Sequence, residues 1–241
     1  LYRPFRALLM AGVAALALSA CASNRGNMPS PDYSGMPAAE THRSLVALTG
    51  RYKANPKDKA TAIHYAAALR AVGQSQQAVA ALEITLGHHP GDVDVSVAYA
   101  KALTAEGRFE QSLQVLDNVI RPEAPDWNAL LVKGATLDQL GRNQEARALY
   151  TQALVYAPGE ASIEANLGLS YAMTNELPMA EQHLRRAVQM RGANSKIRQN
   201  LALIVGLQGR FEECRALYAA ELPPEQVESN LAYVRALLTQ Q

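Results

Sequence analysis

The sequence predicts an all-α chain: a solenoid of antiparallel helix pairs that ends in a capping helix. Three observations carry that prediction. Gly73, Gly107, Gly141, Asn175 and Gly209 climb in steps of thirty-four residues, and self-similarity at such a period marks stacked repeats. On a thirty-four-residue frame starting at Lys59, Val93, Trp127, Ala161 and Ser195, position eight is always small (Ala66, Ala100, Gly134, Gly168, Ala202), and so is position twenty (Ala78, Ser112, Ala146, Ala180, Cys214). Positions eleven (Leu69, Leu103, Leu137, Tyr171, Val205) and twenty-four (Leu82, Leu116, Tyr150, Leu184, Tyr218) are large and apolar. Small residues let the two helices of a unit approach, and large ones recurring on one helical face fill the layer between units.

Residues 1–20 read as a secretory signal: Arg3 and Arg6, an apolar run from Ala7 to Leu18, then small residues. About twelve apolar residues are too few to span a bilayer core of roughly 30 Å. Leu18-Ser19-Ala20-Cys21 resembles the bacterial lipobox. The resemblance implies cleavage before Cys21 and lipidation of its thiol; the alternative is an ordinary signal peptide with a chance cysteine at its end. Several acyl chains on one residue, at about 0.8 kcal/mol per buried CH₂, make a stable anchor. Ala22, where an inner-membrane retention signal has Asp, implies the outer membrane, periplasmic face. Residues 21–37, rich in Pro, Gly, Ser and Asn, offer little apolar surface to offset ordering and read as a tether. A flexible coil of about sixteen residues holds a folded body on the order of 20 to 25 Å from the lipid surface.

Residues 38–56 place Leu45, Leu48 and Tyr52 at helical spacing and end at Pro56, the pattern of the second helix of a half unit. The array then occupies 57–241, with units near 59–92, 93–126, 127–160, 161–194 and 195–224. Glycine at position fifteen stops each first helix, because the residue after a helix often takes the left-handed conformation that glycine adopts without strain. Asn175 is the next most tolerant residue there. Pro90 and Pro158 stand at position thirty-two, Pro125 one place later, and Gly192 replaces the fourth; a proline cannot continue the second helix. In the fifth unit Leu222-Pro223-Pro224 forces an early stop. Residues 225–239 align Val227, Leu231, Val234 and Leu238 opposite Gln226, Glu228 and Arg235, the polar-faced end helix a solenoid needs.

The formal charge is +1, and −1 once the first twenty-one residues, with two arginines and no acids, are set aside. A near-neutral chain without a basic run has no electrostatic footprint for nucleic acid and no polybasic patch for lipid headgroups. His42, His64, His88, His89 and His183 show no metal-ligand spacing, and His88-His89 before Pro90 reads as a pair meeting free carbonyls at a helix end. HExxH, GxSxG and GxxxxGK[ST] are all missing. Cys214 fills a small-residue column and reads as buried packing. The expectation is a non-enzyme with no cofactor, no metal site, no nucleic-acid partner and no small-molecule substrate.

The columns at eight, eleven, twenty and twenty-four, with a proline near thirty-two, resemble the tetratricopeptide repeat. That resemblance implies a right-handed solenoid whose first helices line a concave groove through positions two, five, six, nine, twelve and thirteen. Here those positions include His64, Arg70, Asp94 and Lys101, then Asn128, Leu131 and Asp138, then Asn166, Leu169 and Met173, and finally Lys196, Gln199, Asn200, Leu203 and Leu207. Asn166 and Asn200 share position six, where an amide can pair with donor and acceptor of a peptide backbone; equally, each can serve its own neighbours. The apolar end, Leu169, Met173, Leu203 and Leu207, favours an amphipathic helix or a hydrophobic peptide.

A longer resemblance rests on the lipobox, the Pro-rich tether, the repeats and an ending with Asn200-Leu201-Ala202-Leu203, Leu207-Gln208-Gly209-Arg210-Phe211, Leu222-Pro223-Pro224-Glu225-Gln226 and Asn230-Leu231-Ala232-Tyr233-Val234-Arg235. It is similar to the TadD family of Flp/Tad pilus assembly lipoproteins. The resemblance implies a scaffold that assists assembly of the pilus secretion apparatus, pilotin-like toward the outer-membrane secretin. A type IV pilus pilotin, a barrel-assembly accessory lipoprotein and another periplasmic cell-envelope scaffold stand as alternatives. An envelope hydrolase has no residues to carry it.

Overall fold

The computed structural model of the chain describes Tyr33 and residues 36–239. The signal segment, Cys21 and most of the tether lie outside the described residues. Tyr33 is half-buried against the first core cluster, so the chain is already docked on the array ahead of the first helix.

Twelve α-helices and no strand make up the described residues. α1 (Ala38–Ala54) precedes five helix pairs: α2 (Lys59–Ala71) with α3 (Ser75–His88), α4 (Val93–Ala105) with α5 (Phe109–Asp117), α6 (Trp127–Gln139) with α7 (Asn143–Tyr156), α8 (Ala161–Met173) with α9 (Leu177–Gln189), and α10 (Ser195–Leu207) with α11 (Phe211–Ala219). α12 (Pro224–Thr239) follows. The five first helices begin at Lys59, Val93, Trp127, Ala161 and Ser195. One signal behind those starts is the residue just ahead. The side chains of Asp58, Asp92, Asp126 and Asn194 each accept a first-turn backbone N–H, which satisfies a donor the helix leaves orphaned.

The turn inside every pair is the same object. Gly73, Gly107, Gly141 and Gly209 have φ between 74° and 81°, and Asn175 has φ 60°. The following residue then donates back to the carbonyl of position eleven, from Gln74 to Leu69, Arg108 to Leu103, Arg142 to Leu137, Glu176 to Tyr171 and Arg210 to Val205. This six-to-one bond closes the C-terminal turn and satisfies a free helix carbonyl.

Two second helices are short. α11 stops at Ala219 ahead of Pro223 and Pro224, as the sequence implies. α5 stops at Asp117, well before Pro125, a truncation the repeat frame does not contain. Pro122 bars its preceding residue from helical geometry, and the β-branched Val119 and Ile120 are poor continuations. Ile120 instead packs into the third and fourth core clusters.

Packing is asymmetric. Each first helix approaches the next one, α2 to α4, α4 to α6, α6 to α8 and α8 to α10, and α10 approaches α12. The backbones of the second helices stay apart from one another. The first helices are therefore the inner wall, the second helices the outer one.

Candidate partner-binding groove

The inner wall divides by chemistry. Its first half is charged and tied together: Lys59 Nζ lies 2.8 Å from Asp92 Oδ2 and 3.4 Å from Asp94 Oδ2, and Lys101 Nζ donates to Asn128 Oδ1 across 3.2 Å. The hydrogen bond and charge of Asp92 hold the Lys59 ammonium above its ordinary pKa. Asn128 is thus engaged between α4 and α6. Leu131 is buried in the third core cluster and offers a partner little surface.

Asp138, expected on the groove wall, is drawn inside the array, 6% exposed. Its Oδ1 accepts from Ser170 Oγ on α8 and from Asn143 Nδ2, and its Oδ2 accepts from the Tyr150 hydroxyl, each at 2.8 Å. Burial, then the neighbouring Asp138 carboxylate, pushes the Tyr150 phenol far above its usual pKa. The cluster continues outward. Arg147 donates to the Ser170 carbonyl at 2.9 Å and to Glu176 at 2.8 Å, and its guanidinium lies 4.0 Å from the centre of the Tyr171 ring. Tyr171 stacks on His183 at 5.2 Å, and His183 Nδ1 sits 2.7 Å from Glu164 Oε2, both side chains buried. This network locks the third unit to the fourth. Spacing gives no hint of it, because its members come from four helices and meet only when the helices stack.

The second half of the wall is nearly uncharged. Asn166 donates to the Ser162 carbonyl, one turn back on its own helix. Gln199 donates to Ser195 Oγ. Asn200, half-buried, makes no side-chain hydrogen bond among the described residues. Leu169 and Leu203 are half-buried, and Met173 is 53% exposed. These six residues share one stretch of wall; Asn128, Leu131 and Asp138 do not belong to it.

α12 extends that stretch. It buries Val227, Leu231 and Val234 in the spacing of Ile197, Leu201 and Ile204 on α10 and approaches α10 as α10 approaches α8. In that register Asn230 follows Asn166 and Asn200, Tyr233 follows Leu169 and Leu203, and Leu237 follows Met173 and Leu207. Tyr233 is 61% exposed. The capping helix is a sixth first helix, and its groove residues are ones the thirty-four-residue frame passes over. The signal is in the sequence: Ile163-Glu164-Ala165-Asn166-Leu167, Ile197-Arg198-Gln199-Asn200-Leu201 and Val227-Glu228-Ser229-Asn230-Leu231 repeat one pattern, but the last step is thirty residues.

The other singled-out residues have structural places. His89 Nε2 lies 2.6 Å from the Lys57 carbonyl. Cys214 is fully buried, and burial raises its thiol pKa. Among the described residues no group of three or more His, Cys, Asp or Glu could hold a metal ion, and no helix is long and apolar enough to cross a membrane.

Two profiles of the tetratricopeptide repeat match residues 69–133 and 131–195, together over half of the chain. The chain belongs to the tetratricopeptide-repeat family. As such it is a protein-interaction scaffold. Its fold is similar to a tetratricopeptide-repeat protein from Parabacteroides merdae ATCC 43184, with a TM-score of 0.68 at 11% identity over 82% of this chain and 78% of that one. It is also similar to PilW, a widely conserved type IV pilus biogenesis factor, with a TM-score of 0.61 at 16% identity over 80% of this chain and 91% of PilW. PilF of Pseudomonas aeruginosa gives 0.53 at 14% identity over 76% and 83%. Identities this low establish the shared fold alone. No curated protein matches the chain.

Proposed function

We propose that this tetratricopeptide scaffold is a lipoprotein, anchored through Cys21 to the periplasmic face of the outer membrane, that assists assembly of the Flp/Tad pilus secretion apparatus by holding the secretin in its groove. The observation that carries the reading is a coincidence of place. The ending that resembles the TadD family, residues 200–235, covers most of α10, all of α11 and most of α12, and of these α10 and α12, with α8, line the uncharged half of the inner wall. The stretch that carries the resemblance thus also contributes Asn200, Leu203, Asn230 and Tyr233 to the groove. The non-catalytic character of the scaffold family fits the same reading.

The test is co-purification of the secretin with the acylated protein from detergent extracts. The paired variant Asn166→Ala with Asn200→Ala is expected to lower secretin recovery at unchanged helicity, and unaltered recovery removes the groove from the reading. Cys21→Ser is expected to leave the protein out of the outer membrane; continued outer-membrane fractionation removes the anchor. A second reading, the pilotin of a type IV pilus, is favoured by the likeness to PilW and PilF. Which secretin co-purifies separates the two.

A further inference from the structure

The two ends of the array are unlike halves of one unit. α1 lies where a second helix lies: it packs on α2 and buries Leu45 and Leu48. Carrying the frame back from Lys59, its positions twenty, twenty-three and twenty-seven are Ser44, Ala47 and Arg51. Among the described residues no first helix covers that side, and Ala47 and Arg51 are exposed. α12 lies where a first helix lies. No described second helix covers its positions four and eight, Glu228 and Ala232, and both are exposed.

The complete units show which positions meet. Position four faces twenty-three, twenty-six and twenty-seven: Glu164 lies 2.7 Å from His183 and 3.7 Å from Arg186, and Arg198 pairs with Glu221. Position eight faces twenty and its neighbours: Ser112 Oγ donates to the Ala100 carbonyl at 3.1 Å, and a Cβ on Gly168 would sit 3.0 Å from the Ala180 carbonyl and 3.3 Å from His183 Cβ. Between two copies, the same register sets Glu228 of one against Arg51 of the next and Ala232 against Ser44 and Ala47. The charges are opposite, and small residues meet small ones, as they do inside the chain. Glu228 keeps its partner Arg215 within its own chain, and a carboxylate has lone pairs for both cations.

We propose that this protein associates head to tail with further copies of itself, α12 of one copy seating beside α1 and α2 of the next and completing a helix pair that neither end holds alone. Such a contact is heterologous, so each copy offers the next the surface it has just used, and rows grow rather than closed twofold dimers. Along a row the inner wall is continuous, with Asn230 of one copy preceding His64 of the next. The inference goes beyond the secretin reading and does not depend on it.

The full chain carrying Ser44→Cys together with Ala232→Cys tests this. Mild oxidation is expected to give a regular ladder of oligomers that thiol reductant dissolves, while chains with either substitution alone give no ladder. Cys214 is fully buried and stays out of the exchange, and every chain in the series carries Cys21→Ser so that no other thiol competes. Like-with-like dimers, or a monomer throughout, overturn the proposal; a monomer is the result if the segment ahead of α1, from which Tyr33 already rests on this end, fills the place instead. Arg51→Glu in the double-cysteine chain is expected to cut the ladder about fivefold, and adding Glu228→Arg is expected to restore it. Loss without restoration overturns the pairing.

Discussion

Asn175 holds φ 60° at the one turn where the other four units use glycine. For a residue with a Cβ the left-handed conformation costs about 1–2 kcal/mol, less for asparagine and most for a β-branched residue. Asn175→Gly is therefore expected to leave the melting temperature unchanged or slightly higher, and Asn175→Val to lower it by the equivalent of about 2 kcal/mol. Gly134 answers to a different demand. A Cβ there would stand 2.5 Å from Cε1 of Tyr150, the ring whose hydroxyl serves Asp138. Gly134→Ala is expected to cost about 1–3 kcal/mol in denaturant unfolding. Gly50→Ala, in the interior of α1 with nothing within 4 Å, is expected to gain roughly 0.5–1 kcal/mol. Both kinds of glycine are legible as columns. Their reasons are not: the turn glycines follow from local chain geometry alone, whereas Gly134 needs to know which ring lies above it.

Between helices the most connected ions lie on the outer face. Glu181 of α9 pairs with Arg185 on its own helix and with Arg210 at the entrance to α11, and accepts from Gln208; Arg185 also reaches Glu213 on α11. The Arg210 hydrogen bond, first among several, pulls the Glu181 carboxyl from 4.5 down to about 2. A carboxyl depressed in the folded state stabilises it fully above the unfolded value and loses that contribution as pH falls through the folded one. Glu181→Gln is thus expected to lower the melting temperature at neutral pH, and the gap to the parent is expected to narrow as pH drops from 4.5 toward about 2. A constant gap across that window would assign the loss to packing instead. The element starts are legible because the repeat frame fixes them, with a capping side chain ahead of four of the five first helices and a left-handed turn ahead of each second helix of those five pairs. The stop of α5 at Asp117 is not, because Pro122 and two β-branched residues act below the level of the repeat.

Over the whole molecule, stability of a stacked array is a sum of units and the interfaces between them, and at the third interface a buried carboxylate is shared by side chains of α7 and α8. Asp138→Ala removes the shared acceptor of Tyr150, Ser170 and Asn143 and leaves the Tyr150 and Ser170 hydroxyls buried without it, at a cost of about 3 kcal/mol. Trp127, the single tryptophan, stands at the head of α6 on one side of that joint. The variant is expected to show a tryptophan fluorescence transition displaced from the far-ultraviolet circular dichroism transition, where the parent's coincide; coincident curves in both would mean that apolar packing alone couples the halves. The groove follows the same division of what a sequence can disclose. Its apolar second half is readable from the frame, since exposure there depends only on helical register. The withdrawal of Asp138 depends on three donors brought from elsewhere, and the sixth inner helix is hidden by a thirty-residue step.

The contrast between touching inner helices and separated outer backbones also has a mechanical meaning. The inner backbones form the closer seam, while on the far side α9 and α11 are joined through side chains, by bridges such as Arg185 to Glu213 and through the apolar cluster that both helices share. With backbones in contact on one side and only side chains bridging the other, a change of pitch pivots on the first helices, and each such change alters the curvature of the inner wall.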